Sequence, residues 1–112
     1  MDWIVTIPKT VSWEFYQKEL VAVADGSLVM SYKTRYFPKG MKVGDRCFIV
    51  NNGEVRGWMQ IVGLVHALSP WRCTTTGTVW SAGKYIQRAG TFYVIKGQKM
   101  TGFRGVRKYV AP

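Results

Sequence analysis

The chain has 112 residues, 47% of them apolar and 14% aromatic. That is enough for one folded domain with a modest core and too apolar for intrinsic disorder. No apolar run approaches a membrane span and no basic-then-apolar leader opens the sequence, so a soluble, cytoplasmic protein without membrane contact is expected, with a net charge of +10 that favours polyanionic partners.

Trp3-Ile-Val-Thr-Ile7 is a β-rich run closed by Pro8 and reads as a first strand. Ser12 is placed to cap a helix beginning at Trp13, with Phe15, Tyr16, Leu20 and Val23 near one face and Asp25-Gly26 as its stop. From Ser27 to Phe37 the pattern fits helix or strand; Pro38 ends a helix at or before Phe37, so one or two helical turns are expected before the Lys39-Gly40 bend. Cys47 to Val50, Asn51-Asn52-Gly53 and Val55 to Leu68 spell strand, turn and returning strand, because Asn-Gly supplies the two positive-φ positions of a type I′ turn. Gly57 and Gly63 predict bulges that let the sheet curl. A small curled sheet closes toward a barrel.

Residues 69–83 are dense in turn formers and threonine and read as a loop that carries Trp71 and Trp80, which are expected to be less buried than Trp58. Tyr85-Ile86, Phe92 to Ile95 and Val106 to Val110 supply the remaining short strands. No repeat or linker divides the chain, so residues 1–112 form one domain of α+β, mainly β, architecture.

All six acids lie in the first 54 residues, whereas Arg56, Arg72, Lys84, Arg88, Lys96, Lys99, Arg104, Arg107 and Lys108 follow with no acid among them. Such a cationic half, interleaved with tryptophan and tyrosine, suits nucleic acid, DNA or RNA. Tyr32, Lys33, Arg35, Tyr36 and Lys39 repeat that mixture of flat apolar faces and cations ahead of the hairpin. Loops expose their side chains, which adds Trp71 and Trp80 as stacking walls and Arg72, Lys84, Arg88, Arg104 and Arg107 as phosphate contacts.

Catalytic and metal chemistry find little to stand on. His66 is the only histidine and sits mid-strand, no nucleophile elbow or phosphate loop is present, and the acids do not cluster, so neither metal nor cofactor is expected. Cys47 and Cys73 are too few for a zinc cluster, and reduced thiols are expected.

The segment Tyr32-Lys-Thr-Arg35-Tyr-Phe-Pro-Lys-Gly-Met-Lys-Val-Gly-Asp45 resembles the central motif of EVE domains, and Trp3-Ile-Val-Thr-Ile-Pro8 followed by Ser12-Trp13 resembles their opening. The ending Met100-Thr-Gly-Phe-Arg-Gly-Val-Arg107 is similar to the closing segment of ASCH-type proteins. Both families belong to the PUA-like superfamily, so the resemblance implies a β-pseudobarrel with two or three short helices and a pocket for a modified or flipped base at the barrel mouth. It implies Thr6, Trp13 and Tyr32 as base-binding residues and Lys33 and Arg35 beside them as phosphate contacts; the basic, aromatic segment itself adds Lys39 as a phosphate contact and Ser31 as a base-binding residue. Ser31 stands where EVE domains usually have asparagine, and Met30 where they have arginine. The function expected is nucleic-acid binding by a monomer. One alternative is an ASCH-type hydrolase of a modified nucleoside or RNA, using Lys33, Thr34 and Glu54. Another is a phage- or defence-related module that docks on a protein partner.

Overall fold

The structure, a computed structural model, describes residues 1–8, 10–24, 29–73 and 77–110. It is mainly β: a curled six-stranded sheet that forms half a barrel, with one helix. In chain order the elements are β1 (Asp2–Ile7), α1 (Trp13–Ala24), β2 (Met30–Thr34), β3 (Arg46–Asn51), β4 (Glu54–Ala67), β5 (Trp71–Arg72), β6 (Val79–Trp80), β7 (Gly83–Val94) and β8 (Val106–Lys108). The six strands lie in the order β2-β7-β4-β3-β1-β8. Only β1 and β3 run parallel, with α1 and β2 in the crossover between them.

Local chemistry sets the best-defined elements. Asn52 and Gly53 take φ of 51° and 77°, the positive values that a two-residue hairpin turn requires, and β3 and β4 pair on either side. Ser12 Oγ accepts a hydrogen bond from Phe15 N at 3.1 Å, the capping contact that starts α1. The register of β3 on β4 shifts between Ile49 and Val50, next to Gly57, and that of β4 on β7 shifts twice more. At Gly57 a Cβ would stand 2.2 Å from the carbonyl oxygen of Tyr93, so the close approach of β7 requires glycine.

Alternation along β1 divides the interior in two. Trp3, Val5 and Ile7 join Tyr16, Leu20 and Val23 of α1 and Cys47, Ile49, Met59, Ile61 and Ile86 in the core on the concave side. Ile4 faces the other way, with Phe48, Val50, Val55 and Tyr109, under the segment that carries Ile95, Met100 and Phe103. Each fully buried aliphatic or aromatic side chain of this kind contributes roughly 1.5–3 kcal/mol. Asp45 pins the start of β1: its carboxylate accepts from Trp3 Nε1 at 2.8 Å, Lys42 N at 2.9 Å and the terminal amine at 3.3 Å.

Three expectations are corrected. Met30–Thr34 is a strand and not helical turns, because it pairs antiparallel with Lys84–Arg88 of β7, a partner far away in sequence. Accordingly one helix is present among the described residues where two or three were expected. Residues 69–83 are not all loop: β5 and β6 form a two-stranded hairpin whose Trp71 and Trp80 pair directly. The runs at Tyr85-Ile86 and Phe92–Ile95 belong largely to one strand, β7. The Asp25-Gly26 helix stop falls outside the described residues.

Candidate functional site

A cavity of about 490 Å³ opens between α1, the end of β1, β2, the β5–β6 hairpin and β7. Its walls include Phe15 and Tyr16 from α1, Ser31 and Tyr32 from β2, and Trp80 from β6. Arg88 of β7 also lines it, although the residue is only 2% exposed. Among the described residues the cavity is therefore rich in aromatic walls, with Arg88 as its one buried cation.

The hairpin that presents Trp80 is stiffened by stacking. Trp71 lies parallel behind Trp80, with ring centroids 6.0 Å apart and planes 15° apart, and both meet the ring of Tyr85 edge-on. Below it Tyr85 Oη donates to Ser81 O at 2.8 Å, and Lys33 Nζ donates to Ser81 Oγ at 2.6 Å, tying β2 to the link between β6 and β7. Tyr32 holds the opposite wall. Its hydroxyl lies 3.5 Å from Gly105 O, so the β2 edge of the curled sheet reaches the segment that leads into β8, the other edge.

Arg88 governs the electrostatics. Its Nη1 donates to Tyr16 Oη at 3.2 Å, its Cζ lies 5.9 Å from the Tyr32 ring centroid, and its Nε has no hydrogen-bond partner among the described residues. Burial pushes the Tyr16 and Tyr32 phenols and the Cys47 thiol up, against the lowering effect of Arg88, so these neighbours stay neutral at ordinary pH. Glu19, one turn after Tyr16 and also lining the cavity, is raised by burial as well, against the lowering charge of Arg88. The ion pairs among the described residues involve the terminal amine, Arg46 and Arg56; none involves Arg88. A buried guanidinium with spare donor capacity attracts any acceptor that enters.

Of the expected base-binding residues, Ser31, Tyr32 and Trp80 meet in this cavity and Trp71 supports Trp80 from behind. Thr6 and Trp13 do not join them. Thr6 lies on the opposite face of β1 from Ile7, where its Oγ1 accepts from Phe103 N at 3.1 Å and it borders an open cleft with Asn52 and Arg104. Trp13 stacks on Tyr16 from outside the cavity, at 5.5 Å, and borders a smaller cleft of about 250 Å³ with Arg56, whose Cζ lies 5.2 Å from its ring.

The expected phosphate contacts scatter around this geometry. Arg88 is buried, so a surface role for it is corrected. Lys33 and Arg72 are exposed and lie next in sequence to Tyr32 and Cys73, which line the cavity, whereas Arg104 is exposed at the Thr6 cleft, one residue before the Gly105 carbonyl that Tyr32 reaches. Arg35 and Lys39 are exposed beyond β2, and Lys84 is half-buried, with Nζ 5.9 Å from the Phe37 ring. Arg107 covers Phe103, with Cζ 4.4 Å from its ring.

The trio Lys33, Thr34 and Glu54 is not assembled. Lys33 pairs with Tyr85 whereas Glu54 lies beyond the Gly57–Val94 pairing and binds Arg56 at 3.2 Å. About nine residues of β7, roughly 30 Å of strand, lie between the two ends. Cys47 and Cys73 are not bridged.

Phe15, Tyr16, Glu19 and the inward placement of Arg88 were missed as site features. A signal existed for the last. Arg88 follows Ile86 by two residues in a strand, and period-2 alternation puts both on the core face.

Comparison with known proteins adds no identification: no family model matches this chain, and no curated protein or solved structure matches it.

Proposed function

We propose that this chain is a nucleic-acid-binding domain of the PUA-like, EVE-related kind, which takes one flipped or unpaired base, plain or modified, into the cavity between α1, β2 and the β5–β6 hairpin. The observation that carries the reading is the cavity itself, where Tyr32 and Trp80 stand as aromatic walls and Arg88 as a buried donor. A base stacked on such a wall gains about 1–3 kcal/mol, and hydrogen bonds to its edge add selectivity.

The exposed Lys33 and Arg72, next in sequence to the cavity residues Tyr32 and Cys73, and Arg104 at the neighbouring Thr6 cleft supply backbone contacts that position the strand without reading its sequence. The excess of cations over acids supports the same partner: Asp2, Asp45 and Glu54 are held by Arg46, the terminal amine and Arg56, and Arg35, Lys39, Arg72 and Arg104 carry no ion pair among the described residues.

The test is binding of fluorescent single- and double-stranded DNA and RNA at two salt concentrations, with Trp80→Ala and Arg104→Ala beside the native protein. Base insertion predicts tighter binding of single strands, a loss of about tenfold for Trp80→Ala that salt does not erase, and a smaller loss for Arg104→Ala that disappears at high salt. Absence of binding to every strand at low salt refutes the proposal.

A further inference from the structure

The buried guanidinium narrows the choice of base. Arg88 is 2% exposed, spends Nη1 on the Tyr16 hydroxyl, interacts with the Cys47 thiol and leaves Nε without a partner among the described residues. No carboxylate lies within ion-pair distance of it among those residues. A buried charge left this way calls for acceptors from whatever occupies the cavity. Phe15, Tyr16, Tyr32 and Trp80 line the same space, which suits a flat ring better than a tetrahedral anion, and the carboxylate of Glu19 in the same wall disfavours an added negative charge.

We propose that the ring is guanine, with its O6/N7 edge toward Arg88 and its amino-bearing edge toward Glu19. This deepens the base-binding reading above and rests on it. Arginine presents its donors as a planar fork, and guanine offers two adjacent acceptors, O6 and N7, on an edge that carries no donor. Adenine places its N6 amine beside N7, so one prong of the fork would meet a donor; thymine and uracil offer O4 with no acceptor next to it. Cytosine has adjacent acceptors at O2 and N3, but its N4 amine continues that same edge. A carboxylate that read the amine would then crowd the guanidinium, and Glu19, although close enough to feel the charge of Arg88, lies beyond ion-pair distance of it. Guanine instead turns its N1–H and N2 amine away from the O6/N7 edge, where a separate carboxylate can accept them.

The experiment is calorimetric titration of the native protein with GMP, AMP, CMP, UMP and 7-deaza-GMP, in which carbon replaces N7, repeated with Arg88→Lys and Glu19→Gln. GMP is expected to bind about tenfold tighter than the other three natural nucleotides, and 7-deaza-GMP to lose most of that advantage. Arg88→Lys keeps the charge and loses the fork, so it brings GMP down to the level of the others. Should that variant fail to fold, the 7-deaza comparison on the native protein decides the matter. Glu19→Gln, at a partly exposed helix position, is expected to weaken GMP and leave UMP unchanged. Equal affinity for all four nucleotides, a preference for CMP, or full retention of affinity by 7-deaza-GMP overturns guanine while leaving base binding intact. No binding of any nucleotide, together with no binding of oligonucleotides at low salt, overturns both.

Discussion

Two carboxyl groups sit under opposite influences, and their pH behaviour separates them. Burial pushes Asp45 up, but hydrogen bonds from Trp3 Nε1, Lys42 N and the terminal amine outweigh it and hold the group below its ordinary value of 3.8. A group with a lowered native pKa gives up a proton more readily when folded, so its contribution is present above about pH 3.8 and is lost as the pH falls through the native value. Asp45→Asn is expected to cost about 1–2 kcal/mol at pH 7 in urea unfolding, a difference that shrinks toward pH 3. Glu19 behaves the other way. Burial raises it above 4.5, so the native state binds more protons than the unfolded chain, and stability falls as pH rises through the raised value. Glu19→Gln is therefore expected to melt higher than the native protein at pH 7 and at the same temperature below pH 4.5, as followed by thermal circular dichroism.

At the scale of elements, the hairpin β3–β4 and the β4–β7 pair carry the sheet. Gly53 at φ 77° turns the hairpin, and Gly53→Ala is expected to destabilise by about 1–2 kcal/mol. Gly57→Ala should cost more, roughly 3 kcal/mol or beyond, because the added methyl would meet the Tyr93 carbonyl oxygen and the Phe92 ring rather than open space. Chemical unfolding of the two variants orders them. What was legible in the sequence is what local chemistry decides: the Asn52-Gly53 turn, the Ser12 cap and the first strand rest on residues a few positions apart. β2 was not legible, because Met30–Thr34 becomes a strand through pairing with Lys84–Arg88, and nothing nearby in sequence announces that partner. The β5–β6 hairpin was hidden for a similar reason, since its two-residue strands rely on Trp71 stacking against Trp80 and on both packing on Tyr85. For the cavity, Ser31, Tyr32 and Trp80 were read from sequence and converge; Thr6 was lost to strand parity, since its neighbours Val5 and Ile7 hold the concave side.

For the whole molecule, curling matters more than any single strand. It brings Tyr32 on the β2 edge within 3.5 Å of Gly105 ahead of the β8 edge, although the two lie at opposite ends of the sheet order. If Lys33, Arg72 and Arg104 each meet one phosphate, log affinity for a single strand should fall against log salt with a slope of about −2. A slope near zero in fluorescence anisotropy would remove the electrostatic half of the proposal. The stacked pair Trp58 and Tyr93, with centroids 4.2 Å apart and Tyr93 50% exposed, is a rival platform for bases elsewhere on the molecule. Ultraviolet crosslinking of a short single-stranded oligonucleotide, followed by peptide mapping, tells the two apart most directly. Base insertion into the cavity predicts crosslinks at Tyr32 and Trp80 that Trp80→Ala depletes; crosslinks confined to Trp58 and Tyr93, or none at all, would contradict it.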